Sequence, residues 1–215
     1  MDTDRLVSGT RLSRRGASPP PRRRAGPVAE WHDRAAPGKQ GKQKKFENKS
    51  KTFTNVSPIT IPALGAASPY PSEIRVSGFR QGKLLDINVT LTNLSHPHPA
   101  DINVQLLAPN GRRAIIMSDA GSCLGVNSIT LTLDDQAAAR LSGATQISSD
   151  TFKPTNYGAF DPFPPPGAST TNVRLSTFSG IDPNGTWRLL VVDDTDPDGG
   201  SIGGWSLKIK ARVKK

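Results

Sequence analysis

The residues best suited to chemistry in this chain form an aspartate-rich run, DDTDPDGG, near the C-terminal end. This run follows an apolar stretch directly and places four carboxylates within six residues: Asp193, Asp194, Asp196 and Asp198. Carboxylates at this density repel one another unless a bound cation or loop amides offset their charge. Because calcium takes six to eight oxygen ligands, the run predicts a calcium site, although it lacks the Glu that ends an EF-hand loop.

Two further aspartates complete this predicted cage if the fold brings them near. Asp101 and Asp119 each lie at the boundary of a predicted strand. The alternative for the whole run is an Asp/Gly turn whose carboxylates accept hydrogen bonds from backbone amides in a solvated loop. The sequence leaves both interpretations open.

The three histidines do not indicate a catalytic site. A serine protease needs a nucleophile, a base and an orienting carboxylate that converge in space. His32 lies in the N-terminal region, whereas His96 and His98 lie in LSHPHPAD between two predicted strands. We expect these two to form a turn, with Asp101 or the backbone as partner. No Cys/His cluster of zinc-binding spacing and no glycine-rich phosphate loop accompanies them, so no enzymatic activity is predicted.

Positive charge is concentrated at the N-terminus. Residues 1–51 contain fourteen Lys and Arg against five Asp and Glu, a net charge of +9, and the remaining residues carry a net +1. Without a sustained apolar period, residues 1–52 are predicted to be a disordered basic tail or linker. Clustered Lys and Arg also make the tail a candidate for binding nucleic acid or another polyanion. We find no signal peptide and no run of about twenty apolar residues that would span a membrane.

Alternating side chains predict the fold of residues 53–215. In KLLDINVTLTNL the apolar residues Leu85, Ile87, Val89 and Leu91 alternate with polar ones, as a strand with one buried face requires. DINVQLL, NSITLTL and SIGGWSLKIKARV repeat the pattern, WRLLVVD reads as a central strand, and PNG predicts a hairpin turn. About eight strands with turns between them predict an all-β jelly-roll β-sandwich.

Two segments interrupt this pattern. Residues Gln136–Leu141, QAAARL, favour one short helical turn because alanine, leucine and arginine are strong helix formers. Residues 144–172 contain KPTNYG and DPFPPPG, and their prolines predict a long ordered loop without regular strands.

Two blocks of sequence resemble the P domain, also called P/Homo B, of kexin- and furin-like proprotein convertases. The first is SPYPSEIRVSGF with LLDINVTLTNLSHPHPADINVQLLAPNGRRAIIMSDAG, and the second is FSGIDPNGTWRLLVVDDTDPDGGSIGGWSLKI. The family's histidine, its Asp-Leu-x-hydrophobic-x-Leu strand and its Pro-x-Gly turn have counterparts at His96, at residues 101–106 and at residues 108–111. Departures are Ile102 for Leu, Arg112 for Thr, and a proline-rich insertion at 161–166.

The resemblance implies a non-catalytic accessory module that packs on a subtilisin-like protease domain, stabilises it and tunes its response to calcium and pH. Because no catalytic domain is recognisable on this chain, we expect it to act in trans, or as a stand-alone adhesion module. The implied partner is a protease domain or a cell-surface component, and the implied location is extracellular or at the cell surface. A carbohydrate-binding jelly roll is a further alternative. In that case Trp187 and Trp205 would form a stacking face, although their strand context favours the core.

Overall fold

The computed structural model describes Gly26, residues 45–158 and residues 161–215. Within these ranges the chain forms twelve strands and two short 3-10 segments, Pro99–Asp101 and Leu175–Phe178, with no α-helix. The strands are β1 (Phe46–Asn55), β2 (Ile59–Ile61), β3 (Gly65–Ala66), β4 (Ser72–Val76), β5 (Lys83–His96), β6 (Ile102–Leu107), β7 (Arg113–Ser118), β8 (Val126–Leu133), β9 (Asp150–Phe152), β10 (Thr155–Asn156), β11 (Gly185–Asp193) and β12 (Gly200–Lys214).

The strands form two six-stranded sheets. The first has the order β1-β12-β5-β8-β9, with β2 also paired to β12, and the second has the order β10-β7-β6-β11-β3, with β4 also paired to β11. Pairing is antiparallel except between β8 and β9 and between β7 and β10. The predicted all-β sandwich is therefore confirmed. Twelve strands are present rather than about eight, and the additional ones are mostly two or three residues long.

The main core lies between the two sheets. The alternation predicted for β5 and β12 holds, since Val89 and Leu91 from β5 and Leu207 and Ile209 from β12 are fully buried. They pack with inward residues of β6 and β11 in one cluster. Burial of these apolar side chains is the main driving force for closing the sandwich.

The second sheet is buried on both faces. All six residues of β6 are buried, and β11 lies between β6 and its partners β3 and β4 as a central strand, as its continuous apolar run predicts. Its outer face carries a second apolar cluster that includes Leu190 and Val192. The proline-rich segment covers this cluster, with Phe163 packed on it and Pro164 accepting a hydrogen bond from the Tyr70 hydroxyl at 2.7 Å.

Both strand tryptophans belong to the interior. Trp187 and Trp205 are 0% exposed, and each indole N–H donates a hydrogen bond: to the Pro183 carbonyl and to Ser72 Oγ, both at 2.9 Å. Phe178 packs edge-on against Trp187 with ring centroids 5.1 Å apart. The core assignment is confirmed, so these two rings do not form the stacking face of a carbohydrate site.

The domain begins earlier than predicted. β1 starts at Phe46 and pairs with β12 along its whole length, from Phe46 opposite Lys214 to Asn55 opposite Trp205. The prediction of disorder was therefore wrong for residues 46–52. This segment was missed because it is an edge strand whose first five residues are all exposed, so it shows no apolar alternation. The prediction for the preceding residues lies outside the described ranges, apart from Gly26.

Three local predictions also differ from the structure. Leu84, not Leu85, points inward at the start of β5, because a bulge opposite Lys210 and Ala211 shifts the register and leaves Leu85 43% exposed. Residues Gln136–Leu141 form turns rather than a helical turn. The loop predicted at 144–172 contains the short strands β9 and β10, one on each side of Pro154.

Among the described residues, no helix has both the length and the apolar character needed to cross a membrane.

Candidate functional site: an acidic cluster at one end of the sandwich

The sheet register collects the aspartates at one end of the second sheet. Asp193, the last residue of β11, lies opposite Ile102, the first residue of β6. β7 runs antiparallel to β6, so its last residue, Ser118, arrives at the same end. Asp101 and Asp119 flank β6 and β7 there, and the backbone amide of Asp194 donates to the Asp101 carbonyl at 3.1 Å. Asp101, Asp119, Asp193 and Asp194 therefore lie at the same end of this sheet.

A buried histidine–aspartate pair fixes the start of the aspartate-rich loop. His96 Nε2 lies 2.8 Å from Asp193 Oδ2, and both side chains are 0% exposed. The other ring nitrogen, Nδ1, accepts the backbone N–H of His98 at 3.1 Å. Since Nδ1 is an acceptor, Nε2 carries the proton and donates to the carboxylate, which defines a neutral imidazole of one tautomer.

Asp193 is held by donors on both of its oxygens. Oδ2 accepts from His96, and Oδ1 accepts the backbone N–H of Thr195 at 3.0 Å. Burial nevertheless raises the pKa of Asp193 above its ordinary value, because desolvation outweighs these two hydrogen bonds and the neighbouring Asp194 adds repulsion. The pair joins the end of β5 to the end of β11 at an electrostatic cost, and among the described residues the His96 ring makes side-chain hydrogen bonds only with Asp193 and the His98 amide.

The second histidine bridges two other aspartates. His98 Nδ1 lies 2.9 Å from Asp198 Oδ2 and 3.8 Å from Asp101 Oδ2. This pairing ties the far end of the aspartate-rich loop to the segment before β6. After this loop, Gly200 passes close to the end of β5, where a Cβ would collide with the His96 ring and the Ser95 carbonyl.

Ser118 is the centre of a second buried group. Its hydroxyl lies within hydrogen-bond distance of three oxygens: Asn103 Oδ1, Asp119 Oδ2 and Asp161 Oδ1. Asn103 and Ser118 are 0% exposed and Asp161 is 4% exposed. Asn103 Nδ2 in turn donates to Asp194 Oδ2 at 2.9 Å, and Asn156 Nδ2 donates to Asp161 Oδ2 at 2.7 Å.

This group has fewer protons than its oxygens require. A serine hydroxyl donates one hydrogen bond, yet three acceptors surround Ser118 Oγ. Rotating the Asn103 amide would turn its NH₂ toward Ser118, but its oxygen would then face the Asp194 carboxylate. The remaining oxygens can be satisfied by water, by protonation of a carboxyl, or by a hard cation that binds several oxygens.

The pKa of two aspartates reflects this crowding. Burial raises the pKa of Asp119, with further repulsion from Asp161 and Asp194. Burial likewise raises the pKa of Asp101, with added repulsion from Asp193. Asp119 also has a left-handed backbone, with φ of 52°, and it lies so close to Gly158 that a Cβ at that glycine would collide with the carboxylate.

The six predicted ligands do not form one cage. Asp101 and Asp193 face the histidines, Asp198 pairs with His98, and Asp119 and Asp194 border the Ser118 group. Asp196 is exposed and makes no side-chain hydrogen bond or ion pair with the part of the chain that is described. Within that part, no three His, Cys, Asp or Glu side chains are arranged to hold a metal ion.

Several members of this cluster were not predictable from the sequence. Asp161 sits in the proline-rich segment, 42 residues after Asp119, and Ser118 and Asn103 read as ordinary strand residues. Only tertiary packing brings the three together. His96 was predicted to form a turn with Asp101 or the backbone as partner. The structure gives it the backbone of His98, and its carboxylate partner is Asp193 rather than Asp101.

An apolar cavity adjoins the acidic cluster. It has a volume of about 510 Å³ and is lined by Leu64, Phe163, Val192, Asp193 and Asp194, with the flanking prolines 162 and 164. Leu64 is 60% exposed at its rim. An exposed apolar surface bordered by acids is typical of a binding site rather than of a free surface.

Comparison with known families explains the arrangement of strands and loops. The sequence model of the proprotein convertase P-domain matches residues 85–209, which include most of β5, all of β6 to β11 and most of β12. The chain belongs to this family. The resemblance found in the two sequence blocks is thereby confirmed, and the P domain is a non-catalytic accessory domain of proteases.

Individual relatives are larger proteins. The P domain is 25% identical over 156 residues to the transglutaminase-activating metalloprotease of Streptomyces mobaraensis, covering 72% of this chain and 14% of that protein. Among solved structures it is similar to the Aeromonas sobria serine protease in complex with a chaperone, with 16% identity, a TM-score of 0.41 and coverage of 80% of this chain and 27% of the other. The same protease alone gives 15% identity, a TM-score of 0.39 and coverage of 77% and 27%.

Proposed function

We propose that this P domain is a protein-binding accessory module that packs against a protease domain outside the cell and stabilises it. The observation that carries the proposal is the apolar cavity beside the acidic cluster, in a chain of a family whose members accompany proteases. Whether the protease domain is covalently linked or binds in trans, burial of the cavity would raise the free energy of unfolding of the partner.

The residues around the cavity suit a partner with an apolar side chain next to a basic one. Leu64, Phe163 and Val192 supply the apolar surface, and Asp194 at its edge is exposed. Such a combination of an apolar anchor with a charged rim is the usual composition of an interface.

The experiment for this function places a photo-crosslinking amino acid at position 64 of the full chain. A matched control carries the same amino acid at position 56, where Val56 is 80% exposed and does not border the cavity. We expect crosslinking at position 64 to capture a protease from the secreted proteins of the source organism. The purified chain should then raise the melting temperature of that protease, and Leu64→Asp should abolish the rise.

Two outcomes contradict this proposal. One is capture of the same proteins from position 64 and position 56. The other is a captured protease whose melting temperature is unchanged by the chain at saturating concentration. If the captured protein is not a protease, and the wild-type chain stabilises it while the Leu64→Asp variant does not, the partner is a cell-surface component and not a protease domain.

We further propose that calcium binds the oxygen-rich group around Ser118. The supporting observation is the shortage of protons among Asn103, Ser118, Asp119, Asp161 and Asp194, which a hard cation would relieve. This set mixes carboxylate, amide and hydroxyl oxygens, the ligand types that calcium accepts. Of the six predicted ligands, only Asp119 and Asp194 belong to this group, and Asp161 is added to them. Because the described carboxylates are not already arranged to hold a metal ion, calcium binding requires these side chains to move toward the ion.

Calorimetry tests the calcium proposal directly. Calcium added to the metal-free chain should bind and raise its melting temperature. Asp119→Asn should weaken this binding at least tenfold, whereas the matched change Asp196→Asn should leave it unaltered. Absence of heat and of any thermal shift at about 5 mM calcium, well above the range of extracellular calcium modules, would reject the site.

A further inference from the structure

A second cavity lies on another part of the domain, away from the aspartate-rich loop in the sequence. It has a volume of about 280 Å³ and is formed by the turn after β8, the segment between β9 and β10, and the residues that begin the second 3-10 segment. Three basic side chains line it: Arg140, Lys153 and Arg174. Pro154 and Val173 supply the apolar part of its wall.

The fold sets the backbone positions of these three basic residues. Arg140 and Lys153 are neighbours through a parallel β-bridge, and the amide of Lys153 donates to the Ala139 carbonyl at 2.7 Å. Arg174 directly precedes the 3-10 segment, and its amide donates to Asn172 Oδ1 at 3.3 Å. The side chains of Arg140 and Arg174 are exposed, so they are accessible to a ligand from solvent.

The described part of the chain offsets only part of this charge. None of the three basic side chains takes part in an ion pair or a side-chain hydrogen bond there. Among the described residues, Asp135 is the one acid that lines the cavity, and both of its oxygens accept backbone N–H groups, from Leu175 at 2.9 Å and from Ser176 at 2.7 Å, so one negative charge faces three positive ones. The cavity thus retains an excess of positive charge, although residues 52–215 as a whole carry only +1.

We propose that this cavity binds a tetrahedral oxyanion, a phosphate or sulfate group. Two guanidinium groups present planar forks of donors that match the oxygens of such a group, and the lysine adds a third charge. The volume of about 280 Å³ exceeds that of a free ion, so there is room for the sugar or side chain that carries the group. This site is independent of the partner-binding function and of the calcium group proposed above.

Amide chemical shifts of the full chain test the proposal. Inorganic phosphate, inorganic sulfate and a sulfated disaccharide are titrated separately, with sodium chloride at matched ionic strength as the screening control. We expect saturable shifts of the Leu175 and Ser176 amides with a dissociation constant below about 10 mM. Because the readout is local, anion binding to the basic N-terminal residues does not interfere.

The double variant Arg140→Gln/Arg174→Gln should weaken binding at least tenfold. The charge-matched control Lys208→Gln/Lys210→Gln, which alters two exposed lysines of β12 outside the cavity, should leave it unchanged. If the double variant does not fold, Lys153→Gln alone should still weaken binding. If the sulfated disaccharide binds more tightly than inorganic sulfate, the ligand is a sulfate or phosphate group attached to a larger molecule. If the two bind equally, the ligand is the free ion. Equal shifts with chloride, or equal weakening by both double variants, would overturn the proposal.

Discussion

Replacing Asp193 by Asn tests whether the buried pair with His96 fixes this end of the sandwich. The carboxylate accepts two hydrogen bonds from opposite sides, from His96 Nε2 and from the Thr195 amide. An asparagine has one oxygen, so its NH₂ group must face one of these two donors. The imidazole cannot change tautomer to compensate, because its Nδ1 already accepts the His98 amide.

The expected loss follows from this count. Of the His96 Nε2–H and the Thr195 N–H, one is left without an acceptor, and the other donates to a neutral amide oxygen instead of a carboxylate. Together these losses cost about 3 kcal/mol. Removing the buried charge returns part of this, because burial already raises the pKa of Asp193 and so disfavours its carboxylate. We therefore expect Asp193→Asn to lower the free energy of unfolding by about 2 kcal/mol at neutral pH. With a urea dependence of about 2 kcal/mol per M, the midpoint should fall by about 1 M.

The assay is urea unfolding of the full chain in EDTA, followed by tryptophan fluorescence. Asp196→Asn is the matched control, because it makes the same chemical change in the same loop at an exposed residue without side-chain contacts in the described structure. Its midpoint should stay within about 0.2 M of the wild type, as for most surface substitutions. Equal midpoints for the two variants would refute the reasoning.

Three further predictions concern the acidic cluster and the core. Asp119→Asn should stabilise the metal-free domain at neutral pH. Because the pKa of Asp119 is raised in the folded state, the free energy of unfolding of the wild type falls as pH rises from about 4 through that raised value. In thermal melts across pH 4–7, the melting temperature of the variant should therefore depend less on pH. Tyr70→Phe should cost about 1 kcal/mol in urea unfolding by removing the hydrogen bond to Pro164, and it should delete a phenol whose pKa is about 12 from an alkaline spectrophotometric titration. Trp187→Ala should cost about 3–5 kcal/mol or prevent folding, measured by urea unfolding or by loss of soluble protein, because the ring is fully buried against Phe178.

The fold was predictable wherever one face of a strand is buried. Val89 and Leu91 in β5 and Leu207 and Ile209 in β12 alternate with polar residues because the sheet has an inner and an outer side. β1 escaped prediction because its partners are the backbone groups of β12 and its side chains are mostly exposed, so pairing leaves no apolar pattern. A single bulge was enough to exchange Leu84 and Leu85, since the period of a strand is two residues.

The helical turn predicted at Gln136–Leu141 fails for a tertiary reason. Its residues favour a helix, but the two preceding aspartates, Asp134 and Asp135, accept hydrogen bonds from distant parts of the chain. Asp134 accepts Asn88 Nδ2 at 2.8 Å, and Asp135 accepts two amides of a distant 3-10 segment. These contacts fix the chain direction in front of QAAARL and leave it to turn toward β9. A weak local preference is readily overridden in this way.

The candidate site was predictable only in part, because sequence shows the density of charge and not its pairing. The run at 193–198 suggested one calcium-binding cage, yet Asp193 is paired with His96 and Asp198 is paired with His98. Asp161 joins Asp119 through Ser118, across a separation that no spacing rule covers. Asp101 and Asp119 lie near the aspartate-rich loop because Asp101 precedes β6 and Asp119 follows β7, at the same end of one sheet.

The acidic cluster and the apolar cavity share a wall, which links their proposed ligands. Asp161 contacts Ser118 and directly precedes Pro162 and Phe163, and both of these line the cavity. Asp194 borders the same cavity and accepts the Asn103 amide. A cation that satisfies the oxygens around Ser118 therefore also restricts the two segments between which a partner side chain would insert. By thermodynamic linkage, partner binding must then strengthen cation binding by the same factor as the cation strengthens partner binding.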